Sequence, residues 1–156
     1  MGGGGADQNQ GLVAVAIAHG PVRPDTRPAS WPSGRTAARE AAVRSLPSVP
    51  EVLLVDTTGR DHPRRAGLAL HLGARLDVPS IGVTDRPLLA SGAWPPDEPG
   101  TINPLHIQDK LVGYWVRPKR GVQPLAVHTG WRTDPETAIS VVLSVTSKSR
   151  TPEPLR

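Results

Sequence analysis

Residues 51–83, EVLLVDTTGRDHPRRAGLALHLGARLDVPSIGV, decide the fold. The opening run Glu51-Val52-Leu53-Leu54-Val55-Asp56 is apolar at four consecutive positions. It reads as a strand buried on both faces, as strands of parallel sheets are. Thr57 to Asp61 reads as a loop. Pro63 suits the first turn of a helix, where its missing N–H costs nothing, and that helix is expected to run to about Leu76. Val78-Pro79-Ser80-Ile81-Gly82-Val83 is a second buried strand. Strand, helix, strand is a βαβ unit, whose crossover is nearly always right-handed. The class is therefore α/β.

Upstream, Leu12 to Ala18 is a short apolar run between Gly11 and Gly20 and reads as a further strand. Pro21, Pro24, Pro28 and Pro32 make the next stretch a loop. The spacing predicts a helix over 36–46 with Thr36 as N-cap, stopped by Pro47 and Pro50. Downstream, Arg86 to Pro104 is rich in Pro and Gly and reads as a long loop. Leu111–Val116 and Pro124–His128 flank a turn at Lys119-Arg120-Gly121 and read as a hairpin. Thr133-Asp134-Pro135-Glu136 opens a last helix, capped by Thr133 or Asp134, with Ala138, Ile139, Val142 and Val145 on its apolar face.

The 156 residues suit one domain. Residues 1–11 read as a flexible Gly-rich start and 12–156 as a single domain. With no Phe and no Cys, the core must come from Leu, Val, Ala and Ile. A disulfide scaffold, a thiolate zinc site and a thiol nucleophile are excluded. No apolar run approaches the ~20 residues that span a bilayer, and no secretory signal is visible. The expectation is a soluble cytoplasmic protein with no membrane partner. The net charge of +4, carried almost wholly by arginine, permits a nucleic-acid partner without demanding one.

Asp56 falls at the carboxyl end of the clearest strand, where open α/β sheets bind their ligands. It is a candidate metal ligand or general base, or a loop Asp closing its own turn. His62-Pro63-Arg64-Arg65 then brings an imidazole and two guanidiniums to the expected helix start, either as a phosphate clamp or as a solvated face.

The pattern Val55-Asp56-x-x-Gly59-x-x-His62-Pro63-Arg64-Arg65-x-Gly67 resembles the central motif of the endonuclease V family. The resemblance continues through His71-x-Gly73 and Val78 to Val83. It reaches back to Arg39-Glu40 and forward to Thr129-Gly130-x-Arg132 and Pro152-Glu153-Pro154-x-Arg156. It implies a ribonuclease H-like mixed sheet flanked by helices, shortened here at its amino-terminal strand. The implied activity is Mg²⁺-dependent cutting of DNA at the second phosphodiester 3′ to deoxyinosine, in DNA repair. Mn²⁺ is the alternative metal and RNA the alternative substrate, and the family implies a monomer. Carried over by position, Asp56, Glu40 and Asp7 become metal ligands and His62 an active-site histidine. Trp31 stands where the family has the Tyr of its strand-separating wedge, or else covers a small-residue core. Gly34 matches the glycine of the wedge loop. Arg64, Arg65 and Arg132 are the nucleic-acid contacts. Carboxylates from separate elements converging on Mg²⁺ suit its preference for oxygen ligands.

Four departures stand against this pattern. Thr57 replaces a glycine, Asp85 a lysine and Trp131 a histidine, and the segment between Glu40 and Asp56 is short. Asp7 lies only a few residues before the first expected strand. Three expectations follow: a working or weakened endonuclease, a relative that binds nucleic acid without cutting, or a structural remnant.

Overall fold

The computed structural model describes residues 34–64 and 66–146. The expected strand over 12–18 and the Pro152-Glu153-Pro154 segment lie outside them. Eight elements follow one another: α1 (Gly34–Arg44), β1 (Leu53–Asp56), α2 (Leu68–Leu76), β2 (Ser80–Thr84), β3 (Ile102–Ile107), β4 (Lys110–Val116), β5 (Leu125–Thr129) and α3 (Pro135–Val145). The five strands form one mixed sheet in the order β1-β2-β5-β4-β3. β1 and β2 are parallel, with Leu53 opposite Ser80 and Asp56 opposite Val83. The other three pairings are antiparallel.

The expected βαβ unit is present as β1-α2-β2, and the expected hairpin as β4-β5. Alternation sorts the core onto two faces. Ile81, Val83, Val116, Leu125 and Val127 pack against Ala138 and Val142 of α3. On the other face, Leu53 and Val55 pack against Ala69 and Leu72 of α2. Leu105, Val112, Trp115 and Ala126 fill the rest of that face, with Ala90 of the segment after β2 packed on them.

α3 starts as its sequence requires. Asp134 is the cap, its Oδ1 accepting the Thr137 N–H at 2.8 Å, and Pro135 occupies the first turn. Three boundaries differ from expectation. α1 begins at Gly34, so Thr36 lies inside the helix, fully buried, rather than capping it. α2 begins at Leu68, with extended Gly67 as its N-cap, so His62-Pro63-Arg64 forms a turn and not a helix start. The chain between β1 and α2 is used first to fold across the sheet, where the Gly67 N–H closes a loop onto the Gly59 carbonyl.

The third difference is β3, hidden within and beyond the expected loop. Pro104 lies in this strand opposite Tyr114. A proline removes a ladder donor, which an edge strand tolerates, and β3 is the sheet edge. Its hairpin to β4 turns on Gln108-Asp109, with Gln108 at φ 55° instead of the usual Asn or Gly.

Candidate nucleic-acid site at the carboxyl end of the parallel strands

The parallel strands β1 and β2 end side by side. Asp56 closes β1 and is exposed. Two residues past its cross-strand partner Val83, Asp85 stands exposed at the same end of the sheet. Thr57 then turns the chain, its N–H bonding the Val83 carbonyl at 3.1 Å.

Two glycines let this loop lie on the sheet. A Cβ at Gly82 would meet the Thr57 carbonyl oxygen at 2.6 Å and the Gly59 nitrogen at 2.8 Å. A Cβ at Gly59 would meet the Thr129 carbonyl oxygen at 2.5 Å. The loop backbone therefore touches β2 and β5 directly, and larger residues would lift it.

His62 follows, half-buried. Its Nδ1 accepts the backbone N–H of Arg64 at 3.2 Å. That bond orients the imidazole within the turn. Arg64 is exposed beside it. Arg65, Trp31 and Asp7 lie outside the described residues, and Gly34 is the first residue of α1.

The other expected residues are placed elsewhere. Glu40 does not join Asp56. Its carboxylate accepts from Arg44 one turn later (2.8 Å) and from Arg75 of α2 (2.6 Å). Those hydrogen bonds, Arg75 first and Arg44 second, hold its pKa down to about 2. The first turn of α2 already lies at the start of β2, where the Ala69 carbonyl accepts the Ser80 hydroxyl at 2.7 Å, and Ser80 pairs with Leu53, the first residue of β1. Glu40 is thereby fixed towards the opposite end from Asp56.

Arg132 is also at that opposite end, because β5 runs antiparallel to β1 and β2 and carries the chain away from Asp56. It takes a left-handed conformation, φ 48°. It pairs with Asp77 at 3.0 Å and lies 5.9 Å from the Trp131 ring centroid. Trp131 donates its indole N–H to the same Asp77 carboxylate at 3.2 Å. Among the described residues, no three His, Asp or Glu side chains come together to hold a metal ion.

Three groups matter that the sequence did not single out. Asp61, inside the central motif, is fully buried. Its carboxylate accepts the N–H groups of Leu88, Leu89 (2.7 Å) and Ala90 (2.7 Å). It thus ties the segment after β2 to the His62 loop. Its Oδ2 lies 4.0 Å from Nε2 of His128, which is fully buried on β5. Burial pushes the His128 pKa down, with Asp61 opposing. The third group is Arg117, which organises the loop before β3. An acid next to a motif histidine carries no sign that it will be buried, so sequence alone offers no signal for Asp61.

No helix among the described residues is long and apolar enough to cross a membrane. The family model described as Endonuclease V matches residues 36–156. An endonuclease V from Thermus thermophilus is 39% identical over 93% of this chain and 72% of its own length. One from Roseiflexus sp. is 42% identical over 74% of this chain and 52% of its own length. The crystal structure of endonuclease V from Streptomyces avermitilis matches with TM-score 0.70 and 38% identity, over 73% of this chain and 50% of that one. A variant of Ciona intestinalis endonuclease V, crystallised with a DNA 23mer containing an inosine followed by a ribo-adenosine, matches with TM-score 0.57 and 26% identity. That match covers 77% of this chain and 55% of the other. The chain thus spans about half the length of several relatives it matches. The mixed sheet flanked by helices is the ribonuclease H-like arrangement of these structures. On the family match and the Thermus alignment together, this chain belongs to the endonuclease V family.

Proposed function

We propose that this protein is an endonuclease acting on deaminated, inosine-containing DNA, cutting at the second phosphodiester 3′ to the lesion. The observation that carries this reading is the placement of Asp56. An exposed carboxylate ends a parallel strand, beside a turn that carries His62 and Arg64. The DNA complex of the Ciona relative supports the class of substrate. Arg64 suits a phosphate oxygen through charge-assisted hydrogen bonds.

The family activity implies a divalent metal, Mg²⁺ or Mn²⁺. Of the three expected oxygen ligands, the described residues supply Asp56 alone at this sheet end, since Glu40 is engaged by Arg44 and Arg75. Asp7 lies outside the described residues, so among them the donor set is incomplete.

That same observation favours a second reading, in which the protein binds nucleic acid without cleavage. The test is nicking of a deoxyinosine-containing duplex in Mg²⁺ or Mn²⁺, with the cut position mapped on a sequencing gel. Nicking at the second 3′ phosphodiester supports the first reading. Salt-sensitive retention with no nicking supports the second. Absence of both contradicts the two readings.

A further inference from the structure

The segment between β2 and β3 holds an aromatic side chain in an unusual setting. Five consecutive carbonyls in it are each bound by a side chain of β3 or β4, or by one immediately flanking them. Trp115 Nε1 donates to Gly92 (3.0 Å), and Asn103 Nδ2 to both Ala93 (3.3 Å) and Trp94 (3.2 Å). Arg117 Nη2 donates to Pro95 (3.1 Å), and Thr101 Oγ1 to Pro96 (2.8 Å). Arg117 itself is 7% exposed and also donates to Val122. A stretch with two prolines and every one of these carbonyls satisfied is rigid.

This rigid stretch presents Trp94, which stays 54% exposed. The Arg117 guanidinium lies 5.9 Å from its ring centroid, and the Trp115 ring meets it at 6.3 Å and 73°. Covering on those sides leaves the remaining indole surface to solvent. An indole fixed by two neighbours and a pinned backbone loses little further freedom on stacking, so it is preorganised for a flat partner.

Its location selects the partner. Arg117 directly follows β4, whose Val116 pairs with Leu125 at the same end of the sheet as Thr84 and Asp56. The β4–β5 turn carries exposed Lys119 and Arg120. The Gly121 N–H ties that turn to Asp97 of the Trp94 segment at 2.8 Å. Glu98 is exposed nearby, while Asp97 is engaged by Gly121 and by Arg117 at 3.6 Å. From β1 to β4 there are three strand spacings, which is roughly 14 Å. That is the run of about four stacked nucleotides.

We propose that Trp94, backed by Arg117, is a stacking platform for a base of the substrate strand about four or more nucleotides from the Asp56 end. This rests on the nucleic-acid reading above. Aromatic stacking tolerates any base, so the platform adds affinity without sequence preference.

The experiment measures the affinity of the full chain for deoxyinosine-containing oligonucleotides whose single-stranded flanks are shortened stepwise on either side. Trp94→Ala is expected to weaken binding by about 5- to 150-fold, and Trp94→Phe by much less. The difference from wild type should vanish once one flank falls below about four nucleotides. Leu111→Ala removes an exposed apolar side chain at the opposite end of the sheet and should leave affinity unchanged. Wild type that binds or nicks normally, with Trp94→Ala equal to it at every flank length, overturns the platform alone. Equal weakening at every flank length likewise overturns it. Wild type that binds no nucleic acid overturns both this proposal and the reading beneath it.

Discussion

Asp61→Ala isolates the buried carboxylate that joins the two loops at the Asp56 end. In the folded protein this side chain accepts three backbone N–H groups, from Leu88, Leu89 and Ala90. Truncation leaves those donors without their acceptor in a part-buried setting, at about 1–3 kcal/mol for each unsatisfied group. The three share one carboxylate and will not add fully, so the expected loss is ~3–5 kcal/mol. For a chain of this size, 1 kcal/mol moves the midpoint by about 2–4 °C. A fall of roughly 6–20 °C is therefore expected by circular dichroism melting. Asp61→Asn should fall between, because one amide oxygen can still accept while the NH₂ opposes a backbone N–H. Hydrogen exchange adds a local readout: the amides of residues 88–90 should lose protection while Val127 in β5 keeps its own relative to global stability. A melting midpoint within 1 °C of wild type, or unchanged exchange at 88–90, would refute the reasoning.

Other outcomes follow from the same contacts. Glu40, held down to about 2 by Arg75 and Arg44, contributes stability that is complete above its ordinary 4.5 and is lost as pH falls towards 2; acid titration of the melting midpoint, repeated at high salt, checks it. The lowered pKa of His128 acts in a higher window. The unfolded chain takes the proton first, so stability should decline as pH falls below about 6.5, by at most ~1.4 kcal/mol per pH unit, and Asn at position 128 should flatten this slope. Gly82→Ala forces a Cβ against the Thr57 carbonyl and should cost about 1–3 kcal/mol in urea unfolding, with nucleic-acid affinity falling as the loop lifts. Asp85→Lys replaces an anion with a cation at the end of β2 and should raise affinity for nucleic acid with a steeper salt dependence; unchanged affinity would place the substrate elsewhere.

The parts of the fold written in local rules were readable from sequence. The apolar run at 52–55 and the Val/Ile-bearing segment 78–83 read as parallel strands, and Asp134-Pro135 as a helix start. β3 escaped because Pro104 argues against a strand unless the strand is an edge, and edge position is a property of the whole sheet. The start of α2 escaped because Pro63 fits a first turn equally well in a helix or in the loop that Gly59 and Gly82 press onto the sheet. The strand-end position of Asp56 was legible because motif spacing and strand end coincide. The partners of Glu40 and Arg132 were not legible, since motif order does not say that one acid will be held by Arg44 and Arg75. Nor does it say that β5 runs back away from Asp56. Asp61 and Trp94 gain their meaning only from tertiary partners.

The most direct measurement is nicking and retention of one deoxyinosine duplex by wild type and Asp56→Ala, side by side, in Mg²⁺ and in Mn²⁺. The endonuclease reading predicts nicking by wild type that disappears in Asp56→Ala while the variant still melts cooperatively. Nicking that survives the loss of Asp56, or no nicking by wild type in either metal, would contradict it.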